Sequence, residues 1–192
     1  MKRRHRHTTK GPRHPIPALK DGDLLHGHPP SLWGIVPTKT PIEEAREILR
    51  EKGVLRACER YHAESTGSTG IACWPYFNLN HEHGVVKFVE FKPSVPITFA
   101  EVIARHGVPE GVLSIFTDNP DGSIYTLMIA FYERIWTMIS LAQQVPRVYK
   151  VSAETLVARV TYSKPHPAVV TSSQRVRWRG YGDYEASDAT SD

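Results

Sequence analysis

The chain has 192 residues, of which 40% are hydrophobic, a composition typical of a globular domain. This composition excludes disorder of the whole chain, a collagen-like repeat and a disulfide-dense scaffold. The net charge of +4 arises at the N-terminus, because seven of the 24 Lys and Arg residues lie in the first 20 positions and leave 17 against 20 acidic residues. The longest uncharged apolar stretch, Gly122–Tyr132, is shorter than the about 20 residues that span a bilayer as a helix.

The first 30 residues are rich in His and Pro, and the segment Lys2–Lys20 contains no acidic residue. We predict that residues 1–30 form a disordered basic tail, since they hold too few apolar residues to offset the entropy of ordering. The tail is either an electrostatic arm for nucleic acid or an anionic surface, or a solvated leader. No apolar signal-peptide run follows its basic start, so a chain that truly begins at Met1 is expected in the cytoplasm.

The signature of a helix start occurs twice. Thr40, Pro41 and Glu43 form a predicted capping box with proline at the first helical position, and Gly53 is the predicted end of that helix. Thr98 and Glu101 repeat the box. Apolar residues at helical spacing follow both boxes, so each predicts an amphipathic helix.

Strand-like runs follow each helix. They are Val54–His62, Thr69–Leu79 and Val85–Lys92 after the first, and Val112–Thr117, Ser123–Tyr132 and Ile135–Leu141 after the second. We therefore predict an α+β fold made of two tandem helix-plus-antiparallel-sheet units (α–β–β–β twice), with a further strand at Thr155–Tyr162. The predicted boundaries are 31–94 for the first unit, 95–164 for the second and 165–192 for a C-terminal extension with an acidic tail, in which Trp178, Tyr181 and Tyr184 dock on the body.

These motifs carry a resemblance to a known family. The Thr98–Glu101 helix start followed by Gly107-Val108-Pro109-Glu110 resembles the repeat of BamE-type outer-membrane lipoproteins. Two tandem copies resemble the architecture of beta-lactamase inhibitory protein, and residues 33–40 resemble the opening of uncharacterised bacterial envelope proteins of this plan. The resemblance covers residues 33–141. It implies a bacterial envelope protein that binds or scaffolds other proteins without catalysis, and an extracytoplasmic location.

Two small constellations have alternative interpretations. Cys58 and Cys73 are the only cysteines and lie in neighbouring predicted strands, so they are either a disulfide closing a loop of about 15 residues, worth roughly 3 kcal/mol, or two buried thiols. His81, Glu82 and His83 alternate as a metal pair would, but they lie in a predicted turn without a third ligand. We predict that residues 81–83 form a polar turn, and that the protein binds no metal or cofactor.

Aromatic and methionine side chains are the strongest candidates for a binding surface. We predict that one side of each sheet covers its helix and that the other side presents six such residues: Trp74, Tyr76, Met128, Tyr132, Trp136 and Met138. The alternative is that another part of the chain buries this face.

The predicted function is a non-enzymatic protein-binding or scaffold module, with another protein as partner. One alternative is binding of nucleic acid or an anionic surface through Lys2–Lys20. The other is a small hydrolase whose site has no recognised motif, because the sequence contains no nucleophile elbow, phosphate loop or His-Glu-x-x-His motif.

Overall fold

The structure, a computed structural model, describes residues 31–55, 58–63, 68–73, 77–93, 95–118, 123–145, 147–164 and 174–188. The predicted basic tail, residues 1–30, lies outside the described residues.

Helix α1 (Ile42–Glu51) forms where the sequence predicts it, but its N-terminus differs from the predicted capping box. Pro41 is the N-cap, and none of the described side chains caps the helix. The Thr40 hydroxyl instead accepts a hydrogen bond of 2.8 Å from the backbone N–H of Val36, so it closes the turn that precedes the helix. The predicted end is confirmed: Gly53 follows the helix with a φ of 70°, a conformation that glycine adopts without strain.

Helix α2 (Phe99–His106) has the predicted capping box. The backbone N–H of Glu101 donates to Thr98 Oγ1 at 3.3 Å, and the N–H of Thr98 donates to Glu101 Oε2 at 2.6 Å. These bonds satisfy two N–H groups that have no partner within the helix. Gly107 ends the helix and donates its N–H to the carbonyl of Ile103.

Eleven strands are present in the part of the chain that the structure describes. They are β1 (Glu59–Ala63), β2 (Ser68–Cys73), β3 (Phe77–Glu82), β4 (Val85–Phe91), β5 (Gly111–Asp118), β6 (Ile124–Tyr132), β7 (Thr137–Leu141), β8 (Val148–Val151), β9 (Val157–Ser163), β10 (Gly182–Glu185) and β11 (Ser187–Asp188).

The prediction of two tandem α–β–β–β units is wrong. Nine strands form one sheet in the order β1-β2-β3-β4-β9-β7-β6-β5-β11, and β8 and β10 form a separate two-stranded sheet. Strand β9, predicted to extend the second unit, pairs with β4 on one side and with β7 on the other. It therefore joins what would have been two sheet edges, and the backbone groups of both edges are hydrogen-bonded within one sheet. All pairs are antiparallel except β11 with β5.

Three predicted strands differ in extent. The first, predicted over 54–62, is observed as β1 over Glu59–Ala63. The run predicted as one strand over 69–79 is two antiparallel strands, β2 and β3, in the register Ile71↔Leu79. The strand predicted over 135–141 begins at Thr137, because a 3-10 turn at Glu133–Ile135 and a left-handed Trp136, with a φ of 52°, precede it.

The core lies between one side of the sheet and the two helices, and we call this side the helix side. Alternate strand residues such as Phe91, Val160 and Ile139 contribute to it. Ala45 and Leu49 of α1 and Phe99 and Val102 of α2 complete the same buried cluster.

The C-terminal segment crosses the helix side and returns to the edge of β5. Trp178 packs edge-to-face on Phe99 at 5.4 Å between ring centroids and stacks on Tyr184 at 5.7 Å. Tyr184 in turn pairs with Tyr149 across β10 and β8, and both are buried. The predicted docking of Trp178 on the body is confirmed.

Arg175 packs against the start of β5 because residue 111 is glycine. A Cβ atom built on Gly111 would lie 2.3 Å from Arg175 Nε. The guanidinium lies 5.0 Å from the centre of the Phe131 ring and forms an ion pair with Glu133. Only a residue without a side chain leaves room for this arrangement.

We expect Gly111→Ala to destabilise the protein by about 1 kcal/mol, the low end of the cost of overpacking, because the atoms that must shift are the flexible end of the Arg175 side chain. The new methyl group would displace the Arg175 side chain from Phe131 and Glu133. Urea unfolding of the variant measures the loss. In an Arg175→Ala background the same substitution should cost less, and an equal cost in both backgrounds would contradict the proposed clash.

We expect Thr98→Ala to destabilise the protein by about 1 kcal/mol at neutral pH through loss of the N-cap acceptor. Hydrogen bonds from the backbone and then the side chain of Thr98 hold the pKa of the Glu101 carboxyl below its ordinary value of 4.5. A lowered pKa in the folded state gives stability that is present above pH 4.5 and is lost as the pH falls through the folded-state pKa. The difference between wild type and variant should therefore shrink in acid.

The matched control for this pH series is Thr40→Ala. The hydroxyl of Thr40 bonds to the N–H of Val36, which does not titrate. Urea unfolding between pH 3 and 7 should show a pH-dependent loss for Thr98→Ala and a constant one for Thr40→Ala. The same pH profile for both variants would rule out the coupling to Glu101.

Candidate functional site

The side of the sheet away from the helices carries a groove, and we call it the groove side. On β6, Thr126, Met128 and Ala130 are buried on the helix side, while Tyr125, Leu127 and Ile129 alternate with them and keep part of their surface accessible. Successive strand residues point to opposite faces, so the second set lies on the groove side.

The groove has a volume of about 830 Å³ and runs across four adjacent strands, β4, β9, β7 and β6. Each strand contributes alternate residues, among them Glu90, Arg159, Met138 and Ile129. Its size and largely apolar lining with a few polar groups are typical of ligand and partner sites.

The lining changes from polar to apolar along the direction that crosses the strands. The register aligns Arg159 of β9 with Ser140 of β7, and Ser140 with Ile129 of β6. Ile129 in turn aligns with Leu113 of β5. One end of the groove is therefore charged and the other is apolar.

An ion pair lies at the charged end. Arg159 Nη1 is 2.5 Å from Glu90 Oε1, and the Thr161 hydroxyl is 3.5 Å from Glu90 Oε2. The side chains of Arg159 and Glu90 are 34% and 23% exposed. Because water still reaches both groups, the pair adds little to the free energy of folding, and its main effect is to neutralise the two charges that face the groove.

Lys92 lines the same end of the groove. Its side chain is exposed, and it forms no ion pair with any of the residues that the structure describes. The groove side thus keeps one positive charge that the described part of the chain does not balance.

The six predicted surface residues do not lie together. Met138 lines the groove, and Trp136 is half-buried in the left-handed turn before β7. Trp74 and Tyr76 lie outside the described residues. Met128 and Tyr132 are 0% and 3% exposed on the helix side, so their assignment to an open surface is wrong.

The error on β6 has a physical cause. This strand is apolar on both sides, so alternation alone cannot tell which set of residues covers the helices. The pairing of β6 with β7 would have decided it, because Phe131 aligns with Met138 and therefore lies on the groove side. Sequence reasoning missed Glu90 and Arg159 altogether, although the polar residues Arg159, Thr161 and Ser163 at alternate positions of β9 mark the same side.

Tyr132 has the environment of a core residue on the helix side of the sheet. Its hydroxyl is buried and has no hydrogen-bond partner among the residues that the structure describes. Burial, and then the nearby Glu110 carboxylate, raise the pKa of this hydroxyl well above its usual value. Tyr132 therefore stays neutral over the physiological pH range and acts as a core residue.

The remaining candidates are placed as follows. Cys58 is disulfide-bonded and the described residues hold no free cysteine, but the side chain of Cys73 lies outside them, so the Cys58–Cys73 pair stays a prediction.

His81 Nε2 lies 3.0 Å from the Thr69 hydroxyl across β2 and β3, and His83 lies in the turn after β3 with a φ of 51°. Among the described residues no group of three or more metal-binding side chains occurs.

None of the helices in the described segments has the length and apolar character required to span a bilayer.

We expect Met128→Ala to destabilise the protein by about 2–5 kcal/mol, as for a large core residue replaced by alanine. Met138→Ala should cost clearly less, because Met138 lies in the open groove and its removal leaves no closed cavity. Urea unfolding of the two variants compares the same change on opposite sides of the sheet. Equal losses would show that the assignment of the two sides is wrong.

The chain matches no protein-family model, no curated protein and no solved structure. The resemblance of residues 33–141 to BamE-type lipoproteins and to beta-lactamase inhibitory protein therefore stays a prediction.

Proposed function

We propose that the protein is a binding module that takes a segment of another protein in the groove across β4, β9, β7 and β6. The observation that carries the proposal is the lining itself: partly accessible apolar side chains at one end and charged ones at the other. Such a combination is typical of surfaces that bind a partner, because apolar burial supplies affinity and fixed charges supply orientation.

The rim of the groove supports the same proposal. Leu156 lines the groove and is 45% exposed. A large apolar side chain at the rim extends the surface that a partner could cover. The described lining contains the hydroxyls of Tyr125, Ser140, Thr161 and Ser163 but neither His nor Cys, a set better suited to hydrogen bonding than to nucleophilic catalysis.

The test is a selection of random 12-residue peptides displayed on phage against the full chain. We expect selected peptides to bind at least about tenfold more weakly to Leu127→Asp, because the new carboxylate would be desolvated against an apolar ligand. Fluorescence polarisation with the synthetic peptides measures the dissociation constants.

The matched control is Val108→Asp, which adds the same charge at an apolar residue that is 55% exposed and does not line the groove. Its affinity for the peptides should equal that of the wild type. Circular dichroism establishes that both variants are folded. If no peptide is selected, or if both variants bind as the wild type does, the groove is not the binding site.

A further inference from the structure

We infer that the segment bound in the groove carries a carboxylate at a fixed distance from an apolar side chain, and that Lys92 pairs with the carboxylate. This inference rests on the proposed function and names the chemistry of its partner. It follows from the charges that face the groove and from the spacing of the strands.

Few charged side chains line the described part of the groove. Among the described residues, the charged ones that line it are Glu90, Lys92 and Arg159. Glu90 and Arg159 neutralise each other at 2.5 Å, and Lys92 has no ion-pair partner among the described residues. The described lining therefore has a net positive charge at the β4 end, and a partner carboxylate there would complement it.

The apolar end of the groove determines where the bound segment carries its apolar side chain. Leu127 and Ile129 lie on β6, which is three strands away from β4 in the order β4-β9-β7-β6. Neighbouring strands are about 4.8 Å apart, so Lys92 and the apolar end are separated by about 14 Å. An extended peptide rises about 3.3 Å per residue, and the carboxylate and the apolar side chain should then be roughly four residues apart.

The Glu90–Arg159 pair explains why Lys92, and not Arg159, is the anchor. Breaking the pair to bind a new carboxylate would leave Glu90 without its partner beside a second negative charge. Lys92 offers its charge without such a cost, because its side chain is exposed.

The experiment applies the same 12-residue peptide selection to three forms of the full chain: wild type, Lys92→Glu and Lys39→Glu. Lys39 is exposed in the turn before α1 and does not line the groove, so its variant controls for net charge. Wild type and Lys39→Glu should select peptides with Asp or Glu about four positions from Leu, Ile, Phe or Val. Lys92→Glu should select Lys or Arg at that position instead.

Dissociation constants give the second readout. Replacing the acidic residue of a selected peptide by Gln should weaken binding to the wild type by about two- to fivefold, the effect of a solvent-exposed ion pair. The same change should have no weakening effect on binding to Lys92→Glu.

The outcomes separate the inference from the proposed function. Selection of apolar peptides without charge preference, or the same acidic preference in Lys92→Glu, would overturn the role of Lys92 and leave the groove as a binding site. Failure to select any peptide with the wild type would overturn both.

Discussion

The structure depends on strand β9, which is hydrogen-bonded along both of its edges. Its register places Val160 between Phe91 of β4 and Ile139 of β7 on the helix side. The same register places Arg159 and Thr161 between β4 and β7 on the groove side. One strand therefore completes the core and brings the charged residues of the groove together. Without it, the sheet would divide into two halves with four unpaired edges in place of two.

The C-terminal segment covers some surfaces and leaves others open. Trp178 covers Phe99 at the start of α2, Arg175 covers Gly111 and Phe131 at the start of β5, and β11 pairs with the middle of β5. The segment thus stabilises the helix side, the β5 edge and, through Arg175 on Phe131, the adjoining end of the groove side. The groove lining on β4 and β9 lies beyond these described contacts.

Local features of the fold could be predicted from sequence, and non-local ones could not. The capping box of Thr98 and Glu101 and the turn at Gly53 depend on neighbouring residues, so the sequence pattern was sufficient for them. A local pattern can still fail: the hydroxyl of Thr40 accepts a hydrogen bond from the N–H of Val36 and does not cap the helix. The position of β9 depends on pairing with a strand about 70 residues away, as in Glu90 with Arg159, and no local pattern contains that information.

The residues of the candidate site could also be predicted only in part, because the side of the sheet on which each residue lies depends on non-local strand pairing. Alternation identified Met138 on β7, where only one side is apolar, and failed on β6, where both sides are. The deciding signal is the polar set on β9. If another part of the chain packed on the groove, it would have to desolvate the Glu90–Arg159 pair and Lys92, which has no ion-pair partner in the described part of the chain. This costs several kcal/mol per uncompensated charge. The charges that disfavour internal packing on this side of the sheet are the same ones that would select an external partner of complementary charge.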